Sequence, residues 1–567
     1  MAVHCAAALS ALLLLSFLGF ALSDDAPPST PVSPSTACNA TTDPTFCRSV
    51  LPPRGKGDLY TYGRFSVAES LAGARKFAAL VDRYLARHRH LSPSAIGALR
   101  DCQLMAELNV DFLSAAGATI GATDTLLDLQ ADDVHTLLSA IVTNQQTCFD
   151  GLQAASGGRS DRGGLDAPIA NGTKLYSLSL SLFTRAWVPT AKAAHSHKGG
   201  SKGRHHGHGG RNRKPPAAAA RRGLFDVTDD EMVRRMAIEG PEATVAVNSV
   251  VTVDQSGAGN FTTIGDAVAA APKNLDGSGG YYLIYVPAGV YEENVLVPKY
   301  NKYIMMVGDG IGQTVITGNR SVVDGWTTFN SATFAVVGQG FVAMNMTFRN
   351  TAGPAKHQAV AFRSGADLSA LYGCSFEAYQ DTLYTHSLRQ FYRGCNIYGT
   401  VDYVFGNAAV VFQGCTFYSR LPMQGQSNTV TAQGRSDPNQ NTGTSIQGCA
   451  LVPAPELAAN AAFTTLTYLG RPWKNFSRTV VMESYVGGLV DPSGWMPWSG
   501  DFALETLYYA EYNNTGPGAD TSRRVTWPGY HVLGDGTDAG NFTVTSMVLG
   551  DNWLPQTGVP FTSGLLS

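Results

Sequence analysis

Four Gly-Cys pairs recur in one phase in the C-terminal half of the chain. They lie in LSALYGCSF, RQFYRGCNI, AVVFQGCTF and TSIQGCAL, with Cys at 374, 395, 415 and 449 and steps of 21, 20 and 34. Phe376, Ile397 and Phe417 each sit two positions after one of the first three cysteines. Short runs rich in Val, Ile, Phe and Tyr fill the intervals, as in YYLIYVPAGVY and FVAMNMTFRN. Such runs read as strands, and one repeated phase reads as a solenoid whose coils touch only their neighbours. An antiparallel sandwich is the rival, but it needs hairpin turns and gives the Gly-Cys phase no reason to persist. The pattern predicts an all-β parallel β-helix. Stacked coils lie ~4.8 Å apart, so residues at equal offset from each Gly-Cys stand above one another. Seven residues after Cys374 is Asp381, and seven after Cys395 is Asp402. Two carboxylates are therefore predicted side by side on adjacent coils. Cys395 and Cys415 are predicted to stack within disulfide reach, leaving Cys374 and Cys449 as buried thiols.

The two aspartates lie in EAYQDTLY and GTVDYVFGN, beside apolar and aromatic residues rather than in a charged run. Two carboxylates held close cannot both ionise easily, so one becomes an acid and the other stays an anion. Glycoside hydrolysis, aspartic proteolysis and ester hydrolysis all fit that division of roles. The β-rich half holds no G-x-S-x-G elbow to supply a serine nucleophile, and no carboxylate cluster of the kind that binds calcium.

The remainder of the chain divides by texture. Residues Ala6 to Leu22 form an uncharged apolar run followed by polar, Pro-rich sequence, which reads as a secretory signal peptide over 1–23, with a retained signal anchor as the rival. Residues 24–190 read as helical: ALRDCQLMAELNVDFLSAA and DDVHTLLSAIVTNQQTCFDGL carry apolar residues at three and four spacing, and Asp132 and Asp133 suit a helix start. Export makes cysteines readable as disulfides. Cys38–Cys47 and Cys102–Cys148 are the simplest of the three pairings open to this segment. From Ala191 to Arg222 the chain has nine Lys and Arg, no Asp or Glu, and five His. Such composition builds no core, so 191–240 reads as a solvated linker, with Arg221-Arg222 as an exposed processing site. Segregation of this kind hides inside a formal net charge of −3. From Pro241 onward, 16 Lys and Arg face 23 Asp and Glu, a net of −7. A body of that charge is expected to be held weakly by a polyanion. Eight N-x-S/T sequons, including Asn39, Asn171, Asn319 and Asn475, fit a secreted glycoprotein.

Several β-half segments, GNFTTIGDAVAAAP, GPAKHQAVA, YQDTLY, GTVDYVFGNA, YLGRPW, GWMPW and WLPQTGVPF, resemble plant pectin methylesterases, in that family's order. ACNATTDPTFC, ALRDC and SAIVTNQQTCFDG resemble the pectin methylesterase inhibitor domain. The resemblance implies a right-handed parallel β-helix over 241–567 behind an inhibitor-like helical pro-region over 24–190. It implies hydrolysis of galacturonate methyl esters in cell-wall pectin, with Asp402 as nucleophile, Asp381 as acid/base, Gln358 and Gln380 at the oxyanion, and Arg471 paired with the nucleophile. Thr328, Gln358, Arg471, Trp473 and Trp498 match substrate-contact positions. Tyr403 stands where the family more often has Phe, so its hydroxyl needs a partner if buried. Leu137 replaces a common Trp of the inhibitor domain.

The expected partners are pectin, an inhibitor-like domain of this or another chain, and a processing protease. No cofactor, metal, nucleic acid or stable membrane partner is expected. The expected site of action is the extracellular wall space. A β-helix glycoside hydrolase acting on polygalacturonate through the same Asp pair is the alternative, disfavoured because an oxyanion needs amide donors and an oxocarbenium ion does not.

Overall fold

The protein is described here from a computed structural model covering residues 27–86, 91–155, 164–188, 245–460 and 465–566. The leader, the linker, Arg221 and Arg222 lie outside the described residues. Four long helices, Leu59–Leu85, Pro93–Ala122, Asp128–Ala155 and Asp166–Trp187, form the N-terminal bundle. Asp58 and Ser92 cap the first two by accepting from the backbone N–H groups of Thr61 and Ala95. Disulfides join Cys38 to Cys47 and Cys102 to Cys148, the second tying two long helices together. Asp132 and Asp133 do not start a helix. Asp128 occupies the first turn of that helix, where its charge suits the positive dipole end. Asp132 and Asp133 lie a turn further on and pair with Arg389 of the other body. None of the helices among the described residues is long and apolar enough to cross a membrane.

The second body is a parallel β-helix. Its strands fall into sheets of eleven, seven and eight members, and, away from the ends of the eleven-stranded sheet, sheet neighbours are three strands apart in chain order. Each central coil therefore contributes one strand to each sheet, and the pairings are parallel, as in Phe362–Ser364 against Leu383–Thr385 and Leu383–Thr385 against Val404–Gly406. Like side chains stack into the interior. Phe334 lies over Phe362 with ring centroids 5.8 Å apart, Phe348 over Phe376 at 5.6 Å, and Tyr392 over Phe412 at 4.7 Å. Helix Ile264–Ala270 closes one end, with Ile264, Ala267 and Val268 in the core. The C-terminal turns lay Phe542, Val544, Met547 and Leu554 on the outside of the eleven-stranded sheet. Tyr403 is fully buried, and its hydroxyl meets the Ser419 hydroxyl at 3.3 Å.

The Gly-Cys repeat marks one corner of each coil. Gly373, Gly394, Gly414 and Gly448 all hold φ between +58° and +64°, the left-handed region that glycine enters freely. Asn345, Glu483 and Asn513 continue the same corner, with φ of 56°, 52° and 47°. The expected Cys395–Cys415 bridge is corrected: both are free thiols, as are Cys374 and Cys449. Parallel, in-register coils hold equivalent side chains parallel, so their Cβ atoms keep the ~4.8 Å strand spacing. A disulfide needs them to converge to ~3.8 Å. Each thiol instead donates back to a carbonyl of the preceding coil: Cys395 to Leu371 O, Cys415 to Tyr392 O and Cys449 to Phe412 O.

Gly394→Ala tests the corner. A Cβ there meets only the Tyr372 ring, at 3.7 Å, so its cost is that of a left-handed backbone, ~1–2 kcal/mol. Gly406→Ala is expected to cost more, because its Cβ would lie 2.0 Å from Thr385 O. Denaturant titration of both variants should separate them; equal losses would contradict this origin.

Candidate active site

The two aspartates lie two residues ahead of adjacent strands of the seven-stranded sheet, Leu383–Thr385 and Val404–Gly406. Leu383 pairs with Val404 in register, which sets Asp381 beside Asp402, and the Asp381 N–H donates to Val401 O at 3.1 Å. Equal offset from the Gly-Cys corner thus places two carboxylates together on neighbouring coils. Both residues hold positive φ, 62° for Asp381 and 52° for Asp402. A non-glycine residue there stores strain, a trait that concentrates at functional sites. Both are buried. Burial pushes the Asp381 carboxyl well above the usual carboxylate range, the Asp402 charge adds to that push, and Arg471 opposes it.

Arg471 grips Asp402 in a planar fork, Nε to Oδ1 at 2.8 Å and Nη2 to Oδ2 at 2.8 Å. This is the bidentate geometry that guanidinium offers a carboxylate. Strand Thr467–Gly470 delivers it, and the Arg471 N–H donates to Thr431 O on the previous coil. Gln380 precedes Asp381 directly. Gln358 lies on the coil before, and the neighbouring Ala359 N–H donates to Gln380 O at 3.2 Å. No hydrogen bond among the described residues engages either glutamine side chain. Trp498 faces the Arg471 guanidinium, 4.5 Å from its ring centroid, and is 37% exposed. Trp473 is half-buried, edge-on to Phe405 at 6.0 Å. Thr328 begins the turn Phe329–Ser331, and its carbonyl accepts from the Ser331 hydroxyl.

One residue at the site escapes the seven-residue count. Thr429 pairs in phase with Asp402, since Val404 pairs with Thr431, and its hydroxyl donates to Asp402 Oδ1 at 2.7 Å. The 34-residue step between Cys415 and Cys449 contains an extra loop, so counting from Cys415 misses Thr429. The long step itself was the available signal.

The helical bundle lies against the outer face of this same sheet. Met105 and Leu108 pack with Phe329, Ala335, Tyr384, Phe405 and Ala432, and Trp473 packs at the edge. Asp101 accepts from the Thr327 hydroxyl at 2.5 Å and from the Asn330 amide. Burial pushes its carboxyl up to about 7, against the Thr327 hydrogen bond and the Arg363 charge. Lys474 pairs with Asp150 at 2.8 Å, Lys299 with Asp111 at 2.8 Å, and buried Arg389 with Asp132, Asp133 and its own Asp367. Thr147 meets His386 at 2.9 Å. Burial, with help from Arg363, pushes that imidazole down to about 3, so it is neutral. Between bundle and sheet, beside Tyr384, His386 and Trp473, a cavity of only about 10 Å³ remains, room for one water.

Comparison with known proteins follows these two bodies. Residues 250–551 match the Pectinesterase family, and residues 33–182 match the Plant invertase/pectin methylesterase inhibitor family. Two Arabidopsis thaliana proteins, "Probable pectinesterase/pectinesterase inhibitor 20" and "Probable pectinesterase/pectinesterase inhibitor 41", are each 56% identical, over 94% of this chain and 94% and 95% of their own. The solved structure "Pectin methylesterase from Carrot" is 54% identical with a TM-score of 0.55, and is matched over 100% of its length by 57% of this chain. On these grounds the chain belongs to the pectinesterase family, as a carboxylic ester hydrolase whose β-helix follows an inhibitor-type helical domain.

Proposed function

We propose that the Asp381–Asp402–Arg471 constellation hydrolyses galacturonate methyl esters of cell-wall pectin through an acyl-enzyme. The Arg471 fork on Asp402, beside a protonated Asp381, carries this reading. A carboxylate is a weak nucleophile, and the fork keeps Asp402 charged and aimed. Its oxygen attacks the ester carbonyl carbon, and the carbonyl oxygen takes up negative charge. The amide NH₂ groups of Gln358 and Gln380 can donate to that oxygen without adding charge of their own. As the carbon–methoxy bond breaks, Asp381 gives its proton to the leaving oxygen and methanol departs. Asp381, now a carboxylate, takes a proton from water. The hydroxide attacks the acyl carbon, Asp402 leaves, and the freed acid is galacturonate. Trp473, Trp498 and Thr328 line the path along which the polysaccharide would lie.

The helical domain, in this reading, restrains the enzyme, or assists its folding, until it is removed. Its Met105 and Leu108 cover the sheet face beside the aspartates, and the cavity left at Tyr384 and Trp473 admits no sugar ring. Residues 1–23 as a leader, 191–240 as the linker cut at Arg221-Arg222, 241–567 as the released enzyme, and secretion to the wall as a glycoprotein complete the proposal.

Three outcomes test it. Asp402→Asn in the β-helix region should lower methanol release from methylated pectin at least ~10³-fold, and a variant near the wild-type rate would sink the assignment. The full chain should release methanol more slowly than the same protein cleaved in its linker and separated from the bundle; equal rates argue against restraint. Asp381 supplies a pH test of stability. Its folded pKa lies above its unfolded value of ~3.9, so its contribution is fully present below that pH and is lost as pH rises towards the folded value. Asp381→Asn should therefore melt above wild type at neutral pH, with the two curves converging near pH ~4. A constant gap across pH would contradict the burial of a protonated acid.

A further inference from the structure

We infer that Thr429 is a positioning residue that selects which oxygen of Asp402 attacks. The inference rests on Asp402 being the nucleophile. Asp402 has a left-handed backbone, with φ of 52°. Its partner in the stack, Asp381, passes its N–H to a backbone carbonyl, Val401 O. The Asp402 N–H instead donates to the Thr429 hydroxyl oxygen at 2.7 Å. An extra loop enters the chain between strands Thr416–Ser419 and Asn428–Gln433, and Thr429 follows directly after it. A side chain thus receives the N–H of the strained residue.

That acceptance fixes the hydroxyl. A threonine hydroxyl has one proton to give, and with the Asp402 N–H arriving at its oxygen, the proton goes to Asp402 Oδ1, 2.7 Å away. Oδ1 also receives the Arg471 Nε–H at 2.8 Å, whereas Oδ2 receives only the Nη2–H. A carboxylate oxygen has about two lone-pair sites in the carboxyl plane. Oδ1 has both engaged, and Oδ2 keeps one. Oδ2 is the oxygen that bonds to the ester carbon, with Oδ1 held back as the anchored partner. The same hydroxyl accepts the backbone N–H of this residue at positive φ and so helps to hold that conformation. Thr429 is fully enclosed, at 1% exposure, so water cannot readily take its place.

The test uses the full chain, cleaved in its linker after folding and separated from the bundle. Thr429→Val keeps the shape and removes both hydrogen bonds. It should lower kcat for methanol release roughly 10- to 100-fold, the span of one lost hydrogen bond to a charged group, and leave KM within about twofold. Thr429→Ser restores the hydroxyl and should return kcat to within about threefold of wild type. Wild-type kcat in Thr429→Val would overturn the inference. So would a Thr429→Ser variant as slow as Thr429→Val, because the methyl packing would then be what matters. If Thr429→Val does not fold, Thr429→Cys, whose thiol is too large and too weak a donor for both bonds, should show the same kcat loss. Asp402→Asn in the same assay separates the two levels: its activity would overturn the nucleophile reading itself, independently of Thr429.

Discussion

In-register stacking of parallel coils is the constraint on which the catalytic body depends. Backbone ladders set the spacing, and the spacing decides which side chains meet. Phe334 meets Phe362, Tyr392 meets Phe412, and Asp381 meets Asp402 through the same translation. The stack survives only if every coil turns its corner identically. A column of left-handed residues, from Asn345 through Gly448 to Asn513, provides that turn. The interior columns are apolar and inexpensive to stack. The carboxylate column is not, since like charges at one coil spacing repel. Arg471 pairs with Asp402, while burial beside that charge pushes the Asp381 carboxyl well above the usual carboxylate range, the split that the proposed acid and anion require.

A departure from regular stacking adds the third element of the site. The loop that lengthens one coil brings Thr429 under Asp402, where its hydroxyl serves the backbone N–H and the carboxylate together. A strictly periodic coil would offer a carbonyl at that place and leave Oδ1 with one donor fewer. The helical domain addresses the same sheet by different chemistry. It meets the outward row of Ala335, Tyr384, Phe405 and Ala432 with apolar side chains, and meets the basic and polar flank with Asp101, Asp111 and Asp150. An acidic, partly apolar face is apt for a surface proposed to take a methylated polyuronate.

Much of this was legible in the residues because a solenoid converts sequence offset directly into spatial position. The Gly-Cys phase indicated the coil, the coil indicated the Asp pair, and the positive φ at each glycine is the physical reason the phase repeats. The same logic failed where translation alone is insufficient. Cys395 and Cys415 do stack, but parallel side chains do not converge, so they remain thiols. Asp132 and Asp133 resembled a helix start, yet they answer Arg389 more than 250 residues away.

The sequence by itself determined the coil period, the two separate bodies, the disulfide-stapled bundle and the candidate pair Asp381 and Asp402, because these follow from local pattern and fixed repeat geometry. Tertiary structure alone decided that Thr429 bonds Asp402, that Cys395 and Cys415 stay free thiols, and that the bundle lies on the sheet carrying the Asp pair. Each of these turns on the direction of a side chain or on a contact between distant segments. Spacing along the chain encodes neither, whereas the folded backbone specifies both.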